Sequence, residues 1–163
     1  MKTLFKQLFR KKAKTVKFVK MYPWVETPKH ATDGSAGVDF KIPMNFNNAN
    51  AMALHPGHDV VIPLGVKAIL PEGTALIMKN KSGVSTKLKL DKGAELVDCD
   101  FRGEIKAHVH NRGNQVVLLV GGKTVIQGVL VPYYKQKWEA ISEKEFDKER
   151  TRRGEGGFGS TGN

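Results

Sequence analysis

Glu104-Ile105-Lys106-Ala107-His108-Val109-His110-Asn111-Arg112-Gly113-Asn114 is the stretch that decides the architecture. Ile105, Ala107 and Val109 fall on one side of an extended chain, and Glu104, Lys106, His108 and His110 on the other. That alternation is the period of a half-buried strand, because successive side chains leave opposite faces of the pleat. Asn111-Arg112-Gly113-Asn114 then reads as a hairpin turn feeding Val116–Val120. The pattern extends both ways. Val16-Lys17-Phe18 and Val38-Asp39-Phe40-Lys41-Ile42 alternate, while Val60–Ile62, Val66–Leu70 and Ala75–Met78 are short apolar runs bounded by Pro63, Gly65, Pro71 and Gly73. Thr124–Val131 and Trp138–Ile141 complete the series. Strands so short and evenly spaced predict an all-β fold, a jelly-roll-like distorted β-barrel. One helical signal stands apart: Ser142 with Glu145 three residues on, the pattern of a capping box.

At 163 residues the chain is one domain, long enough for a real core. No apolar run approaches the roughly 18 residues of a membrane helix, so no membrane span is expected. Cys99 is the single cysteine, which excludes an internal disulfide and a Cys-rich metal site and fits a reducing, cytoplasmic compartment. The formal charge is +11, and Lys2, Lys6, Arg10, Lys11, Lys12, Lys14, Lys17 and Lys20 supply eight positive groups with no acid among residues 1–20. Taking those eight away leaves +3 for residues 21–163. The expected organisation is a basic extension at 1–14, a β domain at 15–141, and a linker with a glycine-rich arm at 142–163. In the extension Leu4, Phe5, Leu8 and Phe9 recur at helical spacing among lysines. Weak binding to nucleic acid or an acidic surface therefore competes with a solvated, poorly ordered segment. The extension lacks the apolar core of a secretory signal, but its acid-poor composition keeps a transit peptide open.

The arm, Arg153-Gly154-Glu155-Gly156-Gly157-Phe158-Gly159-Ser160-Thr161-Gly162, holds five glycines and no apolar period. It is expected to be flexible and unable to pack as a strand or helix alone. Yet it carries the parts of a nucleotide clasp. Arg153 offers a planar fork for phosphate, Ser160 and Thr161 offer hydroxyls, and glycine N–H groups can line an anion nest. Phe158 offers a flat face to a nucleobase. A plain glycine-rich tail is the rival reading.

Four more segments join the arm. They are Ala36-Gly37-Val38-Asp39-Phe40, Lys81-Ser82-Gly83-Val84-Ser85, Leu96-Val97-Asp98-Cys99-Asp100-Phe101-Arg102-Gly103-Glu104-Ile105 and Gly122-Lys123-Thr124-Val125-Ile126-Gln127. Five segments in this order, from about Thr15 to Gly162, resemble the homotrimeric dUTPases. The resemblance implies hydrolysis of dUTP to dUMP and pyrophosphate with Mg²⁺. Such chemistry needs a water in line with the α phosphorus and neutralisation of a pyrophosphate leaving group. The resemblance makes Asp98 the general base, against the alternative of a turn aspartate closing a strand. It makes Asp39 a contact for the waters around Mg²⁺, the mode that ion prefers. Lys81, Ser82, Gly83 and Gln127 would meet phosphates, and a β-hairpin near 90–98 would read uracil. Phe101, where tyrosine is common, would exclude a 2′-hydroxyl by bulk. Arg153 would reach the γ phosphate and Phe158 would close over the base, with Gly159, Ser160 and Thr161 completing the arm. Asp100 would share a face with Asp98 on an extended strand and is expected to be structural. The implied assembly is a homotrimer whose active sites are shared, each chain lending its arm to a neighbour.

The chain departs from the family's pattern in places. Lys81 replaces an arginine, losing bidentate geometry. Glu95 stands where glycine is usual, and Lys123-Thr124 where an Asp-Arg pair is common. His55 with His58, and His108 with His110, are each spaced to ligate a metal, but no third partner is apparent and surface histidines are the expectation. Two rival functions remain: a dCTP deaminase, whose catalytic glutamate would fall where His108 stands, and a dUTPase-fold regulatory or binding protein acting through the basic terminus.

Overall fold

The computed structural model describes residues 14–156, and within them the chain is predominantly β. Three antiparallel sheets carry the fold. The first, in spatial order, contains β1 (Lys17–Lys20), β5 (Asp59–Ile69), β9 (Ile105–Asn111) and β7 (Leu90–Lys92). The second contains β2 (Lys29–His30), β3 (Val38–Lys41), β11 (Thr124–Pro132), β6 (Thr74–Lys79) and β8 (Leu96–Val97). A pair, β10 (Val117–Val120) with β4 (Ala51–Leu54), forms the third. The arrangement is jelly-roll-like, and the sheets do not close into one continuous barrel.

The alternation of β9 holds residue by residue: Ile105, Ala107, Val109 and Asn111 are buried, while Lys106 is exposed and His108 and His110 are half-buried. Against them pack Ile62, Leu64 and Val66 of β5, and Phe40, Met78 and Ile126 from the facing sheet, all in one core. The runs Val60–Ile62 and Val66–Leu70 prove to be one strand. A bulge between Pro63 and Val66 interrupts its register with β9, and Pro63, lacking an N–H, sits at that break. The bulge has its own partners: Gly65 N–H donates to Glu104 Oε1 at 2.7 Å, and its carbonyl accepts from Met21 N–H at 2.8 Å. Gly65 has φ +67° and a Cβ there would run into the buried Val25. Gly65→Ala is expected to cost roughly 2–4 kcal/mol of unfolding free energy, since strain and overpacking add. Urea unfolding checks this; an unchanged midpoint would contradict it.

Asn111–Asn114 does not make a hairpin. β9 pairs with β5 and β7, whereas β10 pairs with β4, so the chain changes sheets at this corner. The cause is Asn111, 1% exposed, whose amide Nδ2 donates to the carbonyls of Leu54 (2.9 Å) and Gln115 (2.8 Å). Its Oδ1 accepts from Gly113 N–H at 2.9 Å. Trp138–Ile141 is not a strand either; Trp138 is 87% exposed and no strand among the described residues pairs with it. Ser142 and Glu145 do form the expected capping box, at the start of a short helix, Glu143–Phe146. A helix without sequence forewarning, α1, covers Ser82–Leu88. It has only two apolar residues, Val84 and Leu88; Val84 packs half-buried against the core and neither is fully buried, too little for periodicity to register. Residues 1–13 and 157–163 lie outside the described residues, including most of the basic extension and Phe158, Gly159, Ser160 and Thr161.

Candidate functional site

Four of the five segments assemble into two clusters. In the first, Asp39 of β3 and Gln127 of β11 are direct cross-strand partners, and Gln127 is also level with Lys79 of β6. Lys81 ends the segment after β6 as the N-cap of α1, and its ammonium is ion-paired with Asp39. Gln127 Nε2 donates to the Asn80 carbonyl at 2.9 Å, which moors the backbone just ahead of Lys81 to β11. Gly37 makes this geometry available, because the Gln127 amide occupies the space a Cβ would take there. Ser82 and Gly83 open α1 with no side chain capping its first turn, so N–H donors remain for an anion. Asp39, Lys81, Ser82, Gly83 and Gln127 thus share one patch, with a carboxylate, an ammonium and helix-start donors together.

The second cluster borders a cavity of about 240 Å³ lined by Met78, Ala94, Glu95, Leu96, Asp98, Phe101 and Lys106 among others. Asp98 is exposed directly after β8. There the chain turns: Phe101 N–H donates to the Asp98 carbonyl at 3.2 Å, and Arg102 donates to the carbonyls of Cys99 (2.8 Å) and Phe101 (2.9 Å). Asp98 and Asp100 therefore do not sit on one extended strand as expected. The turn instead carries the Phe101 ring back over Gly103. Tyr133, which sequence reasoning missed, places its hydroxyl 3.3 Å from Cys99 Sγ. That thiol, and then the nearby Asp100 and Asp98, raise the phenol above its ordinary value. No motif marked Tyr133, because the contact spans 34 residues of sequence.

The segment 90–98 is also built differently from a hairpin. β7 pairs with β9, and β8 with β6. The turn between is pinned to both sheets: Gly93 N–H donates to the His108 carbonyl (2.8 Å), Ala94 N–H to His108 Nδ1 (3.2 Å), and Met78 N–H to the Glu95 carbonyl (2.7 Å). Glu95 keeps its carboxylate on Lys92 (2.5 Å) and Lys79 (3.3 Å), which hold it below its ordinary value, so its charge is compensated at the cavity rim. Lys123 and Thr124, the other departure, act through the backbone: Ile42 N–H donates to the Lys123 carbonyl, and Thr124 pairs with Lys41.

Asp91 anchors the loop that leads to Lys81. It accepts from Asn80 Nδ2 at 2.7 Å, the main reason its carboxyl lies below the ordinary 3.8, with Arg112 at 2.9 Å on its other oxygen. A carboxyl whose folded value is depressed stabilises the fold above its unfolded value and loses that contribution as pH falls through the folded one. Asp91→Asn is therefore expected to lower the melting temperature at pH 6 and to converge on the parent as the pH drops below 3.8. Melting curves from pH 6 to 2.5 check the sign.

For one of the two histidine pairs, His108 with His110, the structure supplies a third group that the sequence does not show. Asp59 stands beside His108 and His110. Arg153 lies on the surface, donating from Nε to the Gly156 carbonyl at 2.7 Å.

A family model described as dUTPase matches residues 24–162. The chain belongs to the dUTPase family. It is 35% identical over 141 residues to the deoxyuridine 5'-triphosphate nucleotidohydrolase of Hahella chejuensis, covering 85% of this chain and 88% of that one. It is 34% identical over 143 residues to the corresponding protein of Chlamydia pneumoniae, covering 84% and 91%. Among solved structures, a dUTPase of Staphylococcus bacteriophage 80alpha with dUpNHpp superposes with a TM-score of 0.77, covering 91% of this chain and 99% of that one at 22% identity. At that identity the likeness speaks for the fold of this dUTPase family member alone. No helix among the described residues is long and apolar enough to cross a membrane.

Proposed function

We propose that this chain hydrolyses dUTP to dUMP and pyrophosphate, with Asp98 holding and deprotonating the water that attacks the α phosphorus. The observation that carries this reading is the shared cavity of Asp98 and Phe101. A carboxylate and a ring that bulks against a 2′-hydroxyl then meet one nucleotide at its two discriminating points. The exposed carboxylate accepts the water's proton as the α-phosphorus–oxygen bond to pyrophosphate breaks. Main-chain groups of the pinned 93–95 turn read the base edge.

The Asp39 patch takes the triphosphate. Lys81 is ion-paired with Asp39, and an arriving triphosphate offers Lys81 a second anion, freeing Asp39 for the hydration shell of Mg²⁺. A lone half-buried carboxylate beside a lysine fits such an outer contact, since Mg²⁺ keeps several waters. When bound, the ion neutralises the triphosphate's charge. Ser82 and Gly83 donate to phosphate oxygens, while Gln127 positions the loop. No residue of the patch lines the Asp98 cavity, which supports a homotrimer whose sites are completed by neighbouring chains. The exposed Tyr134, Trp138, Ile141 and Phe146 support the same assembly, as apolar surface awaiting a partner. Arg153, Phe158, Gly159, Ser160 and Thr161 would close the site as the arm of a third chain.

Hydrolysis in ¹⁸O-labelled water tests the chemistry. Label in dUMP is expected from attack at the α phosphorus. Label in pyrophosphate, or ammonia from dCTP, would overturn the reading.

A further inference from the structure

We propose that Asp59, His108 and His110 form a metal site distinct from the Mg²⁺ contact, suited to a borderline divalent ion such as Zn²⁺, Ni²⁺ or Cu²⁺. His108 and His110 lie two apart on β9 and therefore share its outer face; their rings are 4.5 Å apart, tilted by 47°. Asp59 of β5 is the cross-strand partner of His110, and its Oδ2 lies 2.8 Å from His108 Nε2. One donor atom from each residue falls within 4.8 Å of the others, a span that a single ion can draw together.

The platform is rigid. β5 and β9 are the inner pair of their sheet, and behind the three ligands Ile62, Ala107 and Val109 are at most 2% exposed. Little ordering is left to oppose binding. The face remains open to solvent, with Asp59 about half exposed, so waters can fill the other positions. Two imidazoles and one carboxylate match zinc-like ions, whereas Mg²⁺ seeks oxygen. The site therefore does not compete for Mg²⁺, and it stands whether or not the hydrolytic reading holds. Across β9 from Asp59, Asp91 is level with His110 and adds negative charge, partly offset by Arg112.

Occupancy has a consequence at the cavity. Ala94 N–H donates to His108 Nδ1, so the neutral ring carries its proton on Nε2 and gives it to Asp59. A metal ion on Nε2 obliges that proton to move to Nδ1, with no net loss from the ring. Nδ1 can then no longer accept from Ala94, and one tether of the 93–95 turn is released.

Calorimetric titration of the full chain with Zn²⁺ alone, without nucleotide, tests the site, alongside ¹⁵N amide spectra. One ion per chain is expected, with affinity falling roughly tenfold or more in His110→Ala and Asp59→Asn, and the Ala94 amide shifting on titration. His110→Ala leaves the Asp59–His108 pair in place, and His55→Ala serves as a control expected to bind like the parent. Absent binding, or binding unchanged in His110→Ala, overturns the site; zinc binding that leaves the Ala94 amide unmoved overturns the coupling.

Discussion

Asp98→Asn is expected to lower dUTP turnover by about 10²- to 10⁴-fold, the range for loss of a general base, with the fold and assembly intact. Asparagine keeps the shape of the side chain but cannot take a proton from water. The recorded role of Asp98 in the fold is its main-chain carbonyl, which accepts from Phe101 N–H and closes the turn under the cavity. That contact survives the substitution. The carboxylate itself is exposed and lines the cavity, so nothing buried is left without a partner. Steady-state kinetics with light scattering separate the two properties: kcat should collapse while the melting temperature and mass stay put. A variant as active as the parent would place the base elsewhere.

Asn111→Ala should produce the largest loss of stability, about 2–5 kcal/mol. Its amide serves three main-chain groups at once, the carbonyls of Leu54 and Gln115 and the N–H of Gly113. At 1% exposure water cannot replace it, and each stranded group costs roughly 1–3 kcal/mol. The damage is topological as well, because these bonds tie β4 to the corner from which β10 departs to another sheet. Asn111→Asp is a sharper test. It keeps the acceptor for Gly113 but turns the two donated bonds into contacts between a carboxylate and carbonyls, so it should be at least as destabilised. Guanidinium unfolding of both variants measures the effect, and a parent-like midpoint in either would show that the corner is held by something else.

Strand existence was legible wherever one face alone meets the core. Ile105, Ala107 and Val109 announce β9 because their partners across the core demand apolar surface at every second residue. Pairing was far less legible. Asn111-Arg112-Gly113-Asn114 has the composition of a hairpin, and only the long-range bond from Asn111 to Leu54, 57 residues away, reveals a change of sheet. Leu90–Lys92 and Leu96–Val97 are adjacent in sequence yet pair with β9 and β6, which composition cannot encode. Helix α1 was hidden because Val84 alone of its apolar residues packs against the core; Lys89, at φ +54°, closes it by donating its N–H to the Val84 carbonyl. Among site residues, the motif order pointed to Asp39, Lys81 and Gln127, and the sheet does bring them together. Asp59 escaped notice because it is 49 residues from His108 and belongs to no motif.

Pyrophosphate release from dUTP, UTP, dTTP and dCTP, each with Mg²⁺ and at one low concentration, tests the central claim most directly. Strong preference for dUTP is the predicted result, since the proposed reading assigns Phe101 to exclude a 2′-hydroxyl and the 93–95 turn to read the base edge. Equal turnover of all four nucleotides, or of none, would contradict it.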